Sequence, residues 1–243
     1  MNKRQIDPGR VAEEFWREGF VHIPAFFDAA SMDQLNGLIE GHFGRDPAFE
    51  HSNEFLEKSA TEVVPWFPQR EGVSDFDQVE DNADFRAMTQ AILGDGWESQ
   101  YCMVMFSKAG TSGQAWHQDC PPEGAFYNLN RLVYTSDIVD DIGGQVVVKP
   151  RSHKAGELTI GDPHGDMAGQ VVLSPKKGDL LFLHGFCWHR VLPIKKKHRF
   201  STNFRSASAG APEDLTDICV YRNMRFQFST SEVVADRTTT SGV

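Results

Sequence analysis

A mostly β fold with flanking helices, a double-stranded β-helix of the cupin-like jelly-roll kind, is predicted by three features of this sequence. From residue 97 onward the chain breaks into short β-branched and aromatic runs separated by glycine, proline and aspartate, the texture of many short antiparallel strands. The first 96 residues instead carry apolar positions at helical spacing. No internal repeat, low-complexity tract or Gly/Ser linker divides the two regions. Residues 1–243 therefore read as one domain, a helical N-terminal part (1–96) packed on a jelly-roll core (97–230).

Pro8 opens a helix through Val11 to Trp16 that Gly19 stops, since proline suits the first helical turn and glycine the position past the last. Phe20-Val21-His22-Ile23-Pro24 alternates as a strand should. Asp28 is placed to cap a second helix, where Met32, Leu35, Leu38 and Ile39 recur on one face. Residues 45–80 read as an irregular connection broken by Pro47, Pro65, Pro68 and Gly72, with Val63-Val64-Pro65-Trp66-Phe67 as its apolar part. A further helix from Phe85 to Leu93 stops at Gly94. Strands follow at 99–107, 114–119, 130–138, 145–149, 170–173, 179–184, 187–192 and 199–206, with a late segment near 218–227. Gly143-Gly144, Gly161 and Gly178-Asp179 fall at turns, and the last dozen residues, ending Thr238 to Val243, read as a loose tail.

Composition narrows the function. A net charge of −10 excludes a nucleic-acid surface, which needs clustered positive charge. The one dense basic run, Lys195-Lys196-Lys197-His198-Arg199, reads as a solvated hairpin tip ending in one useful arginine. Cys102, Cys120, Cys187 and Cys219 show neither C-x-x-C nor zinc-finger spacing, so no structural zinc or disulfide framework is signalled and a reducing compartment fits. Met1 to Arg10 is polar, and no apolar run approaches the ~18 residues that span a bilayer. The expectation is a cytoplasmic protein acting on a small molecule, with no nucleic-acid or membrane partner; its oligomeric state is not encoded legibly.

The chemistry sits in His117, Asp119, His189 and Arg199. Two imidazoles and one carboxylate can occupy one face of a non-haem Fe(II), leaving the opposite positions for small ligands and O2. An arginine behind such a site supplies the planar fork that a dicarboxylate such as 2-oxoglutarate needs. His117 and Asp119 stand two apart at the end of a predicted strand, so both side chains take one face while Trp116 and Gln118 take the other. A metal-free Asp/His pair is the competing idea, but no Ser or Cys nucleophile stands in a recognisable elbow. Pro193-Ile194-Lys195-Lys196 reads as a hairpin connection; folding about Ile194 sets His189 opposite Arg199 and Cys187 opposite Ser201, so that ligand, clamp and hydroxyl share a face.

Several stretches together resemble the phytanoyl-CoA dioxygenase family of Fe(II)/2-oxoglutarate-dependent oxygenases. They are Glu14 to Val21, Trp116-His117-Gln118-Asp119, Gly143 to Lys154, Gly178 to Gly185, His189 and Arg199-Phe200-Ser201. The resemblance implies His117, Asp119 and His189 as iron ligands, Arg199 pairing the far carboxylate of 2-oxoglutarate, and Ser201 bonding the same end. It also points to Gln114 and Tyr134 as further members of the co-substrate pocket, and to His153 and His184 as structural. It implies hydroxylation or desaturation with release of succinate and CO2, because Asp119 fills a position that halogenating relatives leave vacant for halide. The chain departs from the family where Arg190-Val191-Leu192-Pro193 follows the distal histidine in place of Gly-x-Gly-Pro-Asn, so the pocket rim should differ. The loop from Ile160 to Gln170 reads as a charged surface loop in preference to a lid, Lys108 as fixing an acidic substrate or ending a strand, and Met103 and Met105 as ordinary core in preference to the lining of an apolar cavity. Two rival readings stay open: a cupin-type metalloenzyme, dioxygenase or isomerase, that needs no 2-oxoglutarate, and a non-catalytic jelly-roll ligand-binding protein. Arg199 with Ser201 speaks against the first, which has no need of a carboxylate clamp.

Overall fold

The computed structural model describes residues 6–59, 61–120, 124–159, 161–212, 215, 226–228 and 233–236. The N-terminal part holds α1 (Pro8–Glu18), β1 (Phe20–Ile23), α2 (Ala29–Phe43), α3 (Asn53–Lys58), β2 (Val63–Trp66), the single turn α4 (Asp77–Glu80) and α5 (Ala83–Leu93). The core holds β3 (Glu98–Ser107), β4 (Gln114–His117), β5 (Asn128–Val133), β6 (Val146–Val148), β7 (Val171–Leu173), β8 (Leu180–His184), β9 (His189–Val191) and β10 (Arg199–Ala207). A small ladder, β11 (Phe226–Phe228) with β12 (Val233–Asp236), follows. The late strand expected near 218–227 lies outside the described residues except at its last two positions, as do Cys219, Pro121-Pro122 and residues 237–243; the first part of the expected tail is not loose, because Val233–Asp236 pairs with β11. Cys102, Cys120 and Cys187 are buried and free.

Local chemistry sets the helix ends. The Asp7 carboxylate accepts the Gly9 and Arg10 N–H groups at the start of α1, and Gly19, at φ 86°, closes it by donating to the Phe15 carbonyl. Asp28 caps α2 by accepting from Ser31, and Asn82 caps α5 by accepting from Phe85. Each helix buries one stripe: Ala12 and Phe15; Met32, Leu35, Ile39 and Phe43; Phe85, Met88, Ile92 and Leu93.

Those stripes cover one sheet of a two-sheet jelly roll. The larger sheet runs β1-β8-β5-β10-β3-β2 and the smaller β4-β9-β6-β7, with every pairing in both sheets antiparallel. Alternation along the larger sheet divides its side chains between two compartments. Cys102, Val104 and Phe106 of β3 and Phe200 and Phe204 of β10 meet the helices. Met103, Met105, Arg199, Ser201, Asn203 and Arg205 face the space between the sheets. On the helical side Arg131 is fully buried; it donates to the Phe204 carbonyl and pairs with Glu80 at 2.6 Å, pinning α4 to the sheet.

Three expectations need correcting. Residues 45–80 are not all irregular, because Val63–Trp66 pairs with β3 as the edge strand β2; Pro65 is tolerated there since an edge strand needs fewer N–H donors. The strand expected over 114–119 ends at His117, and Asp119 is held instead by its N–H bond to the Gly185 carbonyl. Finally, β9 and β10 do not form a hairpin. Both edges of β9 are occupied, by β4 and β6, and β10 lies in the other sheet between β5 and β3. The link between them crosses from sheet to sheet, pinned where Ile194 donates to Thr111 and Lys195 to Ile142. His189 and Arg199 still look into one space because the two sheets face each other.

Among the described residues, no helix is long and apolar enough to cross a membrane.

Candidate metal centre

The space between the sheets is a cleft of about 590 Å3, its open mouth included, lined by His117, Asp119, His189, Arg199, Ser201 and Gln114 together with Asn130, Asn203 and Arg205. Its apolar wall is Val63, Met103, Met105, Leu132, Val146, Leu183 and Val191. β4 and β9 pair so that His117 stands directly opposite His189, with ring centroids 4.1 Å apart. One ligand atom from each of His117, Asp119 and His189 falls within 4.8 Å of the others, an arrangement able to hold a metal ion.

Hydrogen bonding orients all three. His117 Nδ1 is 2.8 Å from the Ala115 carbonyl, and His189 Nδ1 is 2.8 Å from the Cys187 carbonyl. A carbonyl can only accept, so each Nδ1 carries the proton and each Nε2 lone pair is turned to the cleft. Those Nε2 atoms lie 3.7 Å from the two oxygens of Asp119. Burial, then repulsion from His117, lowers the His189 imidazole to about 4, leaving it neutral and able to ligate near neutral pH. For Asp119 burial alone would raise the carboxyl. The Arg205 guanidinium, followed by the two imidazoles and the Asn130 amide, outweighs burial and holds it well below the usual carboxylate range.

The residues that grip Asp119 were not singled out from the sequence. Arg205 Nη2 lies 3.1 Å and Asn130 Nδ2 2.5 Å from Asp119 Oδ2. Asn130 Oδ1 in turn accepts from Asn203 Nδ2 at 2.8 Å and from Arg205 Nε at 2.9 Å. Asn128 Nδ2 adds a third, longer contact to that oxygen at 3.4 Å, so the Asn130 amide can only donate toward Asp119. A signal was available: Arg199, Ser201, Asn203 and Arg205 alternate with Phe200, Thr202 and Phe204, a polar face along a buried strand.

Arg199 is 4% exposed. Its Nε donates to the Gly144 carbonyl at 2.8 Å and its Nη1 to Ser201 Oγ at 2.9 Å. Burial lowers its pKa, and Tyr134 is the group acting against that; no carboxylate among the described residues offsets the charge. Gly144 permits the approach: at φ 69°, a Cβ there would fall 2.3 Å from Arg199 Cδ. Gln114 lines the cleft. Tyr134 is set behind Arg199, its hydroxyl buried outside hydrogen-bonding geometry and pushed up to about 12 by burial, with Arg199 pulling the other way.

Other expectations sort by position. His184 stacks on Tyr127 at 3.9 Å between centroids, and His153 packs under Gly19, both away from the cleft. Lys108 pairs with Glu50 at 2.6 Å. The loop past Ile160 is fastened to the outer face of the smaller sheet: the Trp116 indole donates to the Gly165 carbonyl, and Arg190 pairs with Asp166. Met103 and Met105, expected in ordinary core in preference to the lining of an apolar cavity, are in both: they pack in a core cluster with Val63 and Tyr101 and line the cleft, because the alternation of β3 turns them inward.

Fold and site together define an antiparallel jelly roll with a two-histidine, one-carboxylate cluster and a buried arginine. The family model for phytanoyl-CoA dioxygenase (PhyH) matches residues 15–195, and the chain belongs to that family. The epimerase SnoN from nogalamycin biosynthesis, solved with Fe3+, alpha-ketoglutarate and nogalamycin RO, is similar at TM-score 0.67 and 17% identity, covering 95% of this chain and 96% of SnoN. HygX from Streptomyces hygroscopicus, with nickel, 2-oxoglutarate and hygromycin B bound, is similar at TM-score 0.66 and 14% identity over 82% of this chain and 86% of HygX. EvdO2 from Micromonospora carbonacea var. aurantiaca, complexed with 2-oxoglutarate, is similar at TM-score 0.66 and 16% identity over 88% and 98%. At such identities the likeness is one of fold. No curated protein matches the chain.

Proposed function

We propose that this chain is an Fe(II)- and 2-oxoglutarate-dependent oxygenase that hydroxylates or desaturates a small molecule, releasing succinate and CO2. His117 Nε2, His189 Nε2 and Asp119 would hold the iron, and Arg199 with Ser201 would bind the far carboxylate of 2-oxoglutarate. Gln114 would border that pocket, and Tyr134 would support Arg199 from behind. The observation that carries the reading is Arg199: a buried guanidinium without a carboxylate among the described residues, in the same cleft as three convergent metal-binding side chains. A buried cation calls for an anion, and a dicarboxylate that also reaches the metal meets both demands. Bound iron and 2-oxoglutarate supply the O2-derived oxidant that attacks an unactivated C–H bond. The chain's own part is to keep both Nε2 lone pairs free, hold Asp119 ionised, and position the substrate along the apolar wall.

SnoN, an epimerase, keeps stereochemical inversion as a second reading of the same site. Anaerobic titration with Fe(II) and 2-oxoglutarate tests the cofactor assignment through the visible charge-transfer absorption of a chelated 2-oxo acid. The band should appear in the wild type and be lost in His117→Ala and His189→Ala, whereas a normal band in either variant would overturn the ligand set. Products formed under 18O2 then separate the outcomes by mass: hydroxylation adds one labelled oxygen, desaturation removes two hydrogens, and inversion leaves the mass unchanged.

A further inference from the structure

The two methionines of the cleft are placed where the proposed chemistry would reach them. β3 pairs with β10 so that Met103 is opposite Asn203 and Met105 opposite Ser201, which sets each pair of Cβ atoms about 5 Å apart on one face. Asn203 donates to Asn130, and Asn130 donates to Asp119. Met103 therefore stands beside the network that grips a candidate iron ligand, and Met105 beside the hydroxyl that meets Arg199. Met103 is 1% exposed. The rest of the apolar wall is saturated hydrocarbon, so the thioethers are its most readily oxidised groups.

We propose that Met103 and Met105 form an internal modification site, at which 2-oxoglutarate and O2 convert a thioether to its sulfoxide when no substrate fills the cleft. The proposal rests on the oxygenase reading above. The step balances as methionine, 2-oxoglutarate and O2 giving methionine sulfoxide, succinate and CO2. The C1–C2 bond of 2-oxoglutarate breaks; one oxygen atom goes to sulfur and the other to the new carboxylate of succinate. Sulfur and 2-oxoglutarate each lose two electrons, and O2 takes up four. A sulfoxide places a polar, chiral group on the wall that would meet the substrate, so the modification silences the enzyme until a sulfoxide reductase reverses it.

Three other methionines are built-in controls. Met32 and Met88 are fully buried in the helical core. Met167 lies outside the cleft and is partly exposed, as Met105 is. The iron-loaded, full-length protein is incubated with 2-oxoglutarate and 18O2 in the presence of catalase and without substrate, then digested for peptide mass spectrometry while succinate is measured. We expect 18O at Met105 or Met103, growing with succinate and absent from Met167. Metal-free protein treated with hydrogen peroxide should show the opposite order, Met167 before Met103. Succinate accumulating while both cleft methionines stay unlabelled would overturn the proposal and leave the oxygenase reading standing, as would label on Met167 in their place. Absence of succinate from the substrate-free protein would likewise overturn the proposal alone, whereas failure to bind 2-oxoglutarate would overturn the oxygenase reading and the proposal with it. The double variant Met103→Leu/Met105→Leu should sustain substrate-free succinate formation for longer than wild type; inactivation at the wild-type rate would refute silencing through these sulfurs.

Discussion

Replacing Arg205 by methionine should weaken metal binding and make the metal-free fold sensitive to pH in a direction opposite to ordinary acid denaturation. Arg205 lies 3.1 Å from Asp119 Oδ2 with both side chains almost fully buried, at 4% and 3% exposure. Removing one partner of such a pair costs about 3–5 kcal/mol, but protonation of the stranded carboxyl limits the loss. From an unfolded pKa near 3.9, that limit is about 4 kcal/mol at pH 7 and about 1.5 kcal/mol at pH 5. In the wild type the Asp119 carboxyl is held low, so it stays ionised across this range and adds no slope. In Arg205→Met the folded carboxyl is raised above the unfolded one, the folded state binds the extra proton, and stability falls as pH rises. Urea unfolding of metal-free protein should therefore show a deficit of about 3–4 kcal/mol at pH 7 that shrinks toward pH 5. Loss of the group orienting a metal ligand should also weaken Fe(II) or Co(II) binding by about 10–100-fold. Arg205→Lys, which keeps the charge without the fork, should remove most of the pH dependence while restoring affinity only in part. A deficit independent of pH, together with metal affinity within twofold of wild type, would refute the account of Asp119.

Arg199→Ala should raise the Michaelis constant for 2-oxoglutarate by about 30- to several-thousand-fold, from about 2–5 kcal/mol for stranding a buried carboxylate; Arg199→Lys should recover part of it, and unchanged constants in both would move the clamp elsewhere. Because Asp119 fills the third protein position at the metal, the wild type should form no halogenated product in high chloride or bromide. Asp119→Gly should lose most turnover and gain halide binding, read by the shift chloride causes in the Co(II) spectrum; a chlorinated wild-type product would refute the assignment. His184, lowered to about 3 by burial and then by His153, leaves the unfolded chain binding a proton that the folded one does not between about pH 3 and 6.5. Its contribution is full above that window and lost as pH falls, by about 3 kcal/mol at pH 4.5. His184→Phe should flatten unfolding free energy against pH over this range, and an unchanged slope would count against it.

What could be read from the sequence was whatever depends on local chemistry. Capping by Asp28, the glycine stops at Gly19 and Gly94, and the alternation along β10 are local rules, and the structure follows them. The β9 to β10 connection was not legible because a hairpin and a crossover between sheets begin with the same residues. Which one forms depends on β4 and β6 having taken both edges of β9, a fact encoded far away in the chain. β2 was hidden by Pro65, which argues against a central strand and is harmless at an edge. Asn130 and Arg205 were hidden for another reason. Their types carry no metal signature, and their role comes only from being brought against Asp119 by strands β5 and β10.

Two arginines on one face of β10 thus acquire different chemistry from their surroundings. Arg199 and Arg205 are separated by about 20 Å of extended backbone, and each keeps its charge despite deep burial, since a guanidinium stays protonated. At one end Asp119 meets Arg205, and the pair supplies a carboxylate whose ionisation is fixed in advance. At the other end Gly144, Ser201 and Tyr134 surround Arg199 with neutral groups alone. Exchanging a carboxylate into that second environment, as in Ser201→Asp, should supply the missing anion internally. Such a variant should keep Fe(II) binding through an intact His117, Asp119 and His189, while 2-oxoglutarate no longer competes for Arg199. Calorimetric titration separates the two events: retained metal binding with 2-oxoglutarate affinity reduced at least tenfold is the expected result. Undiminished 2-oxoglutarate binding would mean that the co-substrate is held by something other than the unbalanced charge at Arg199.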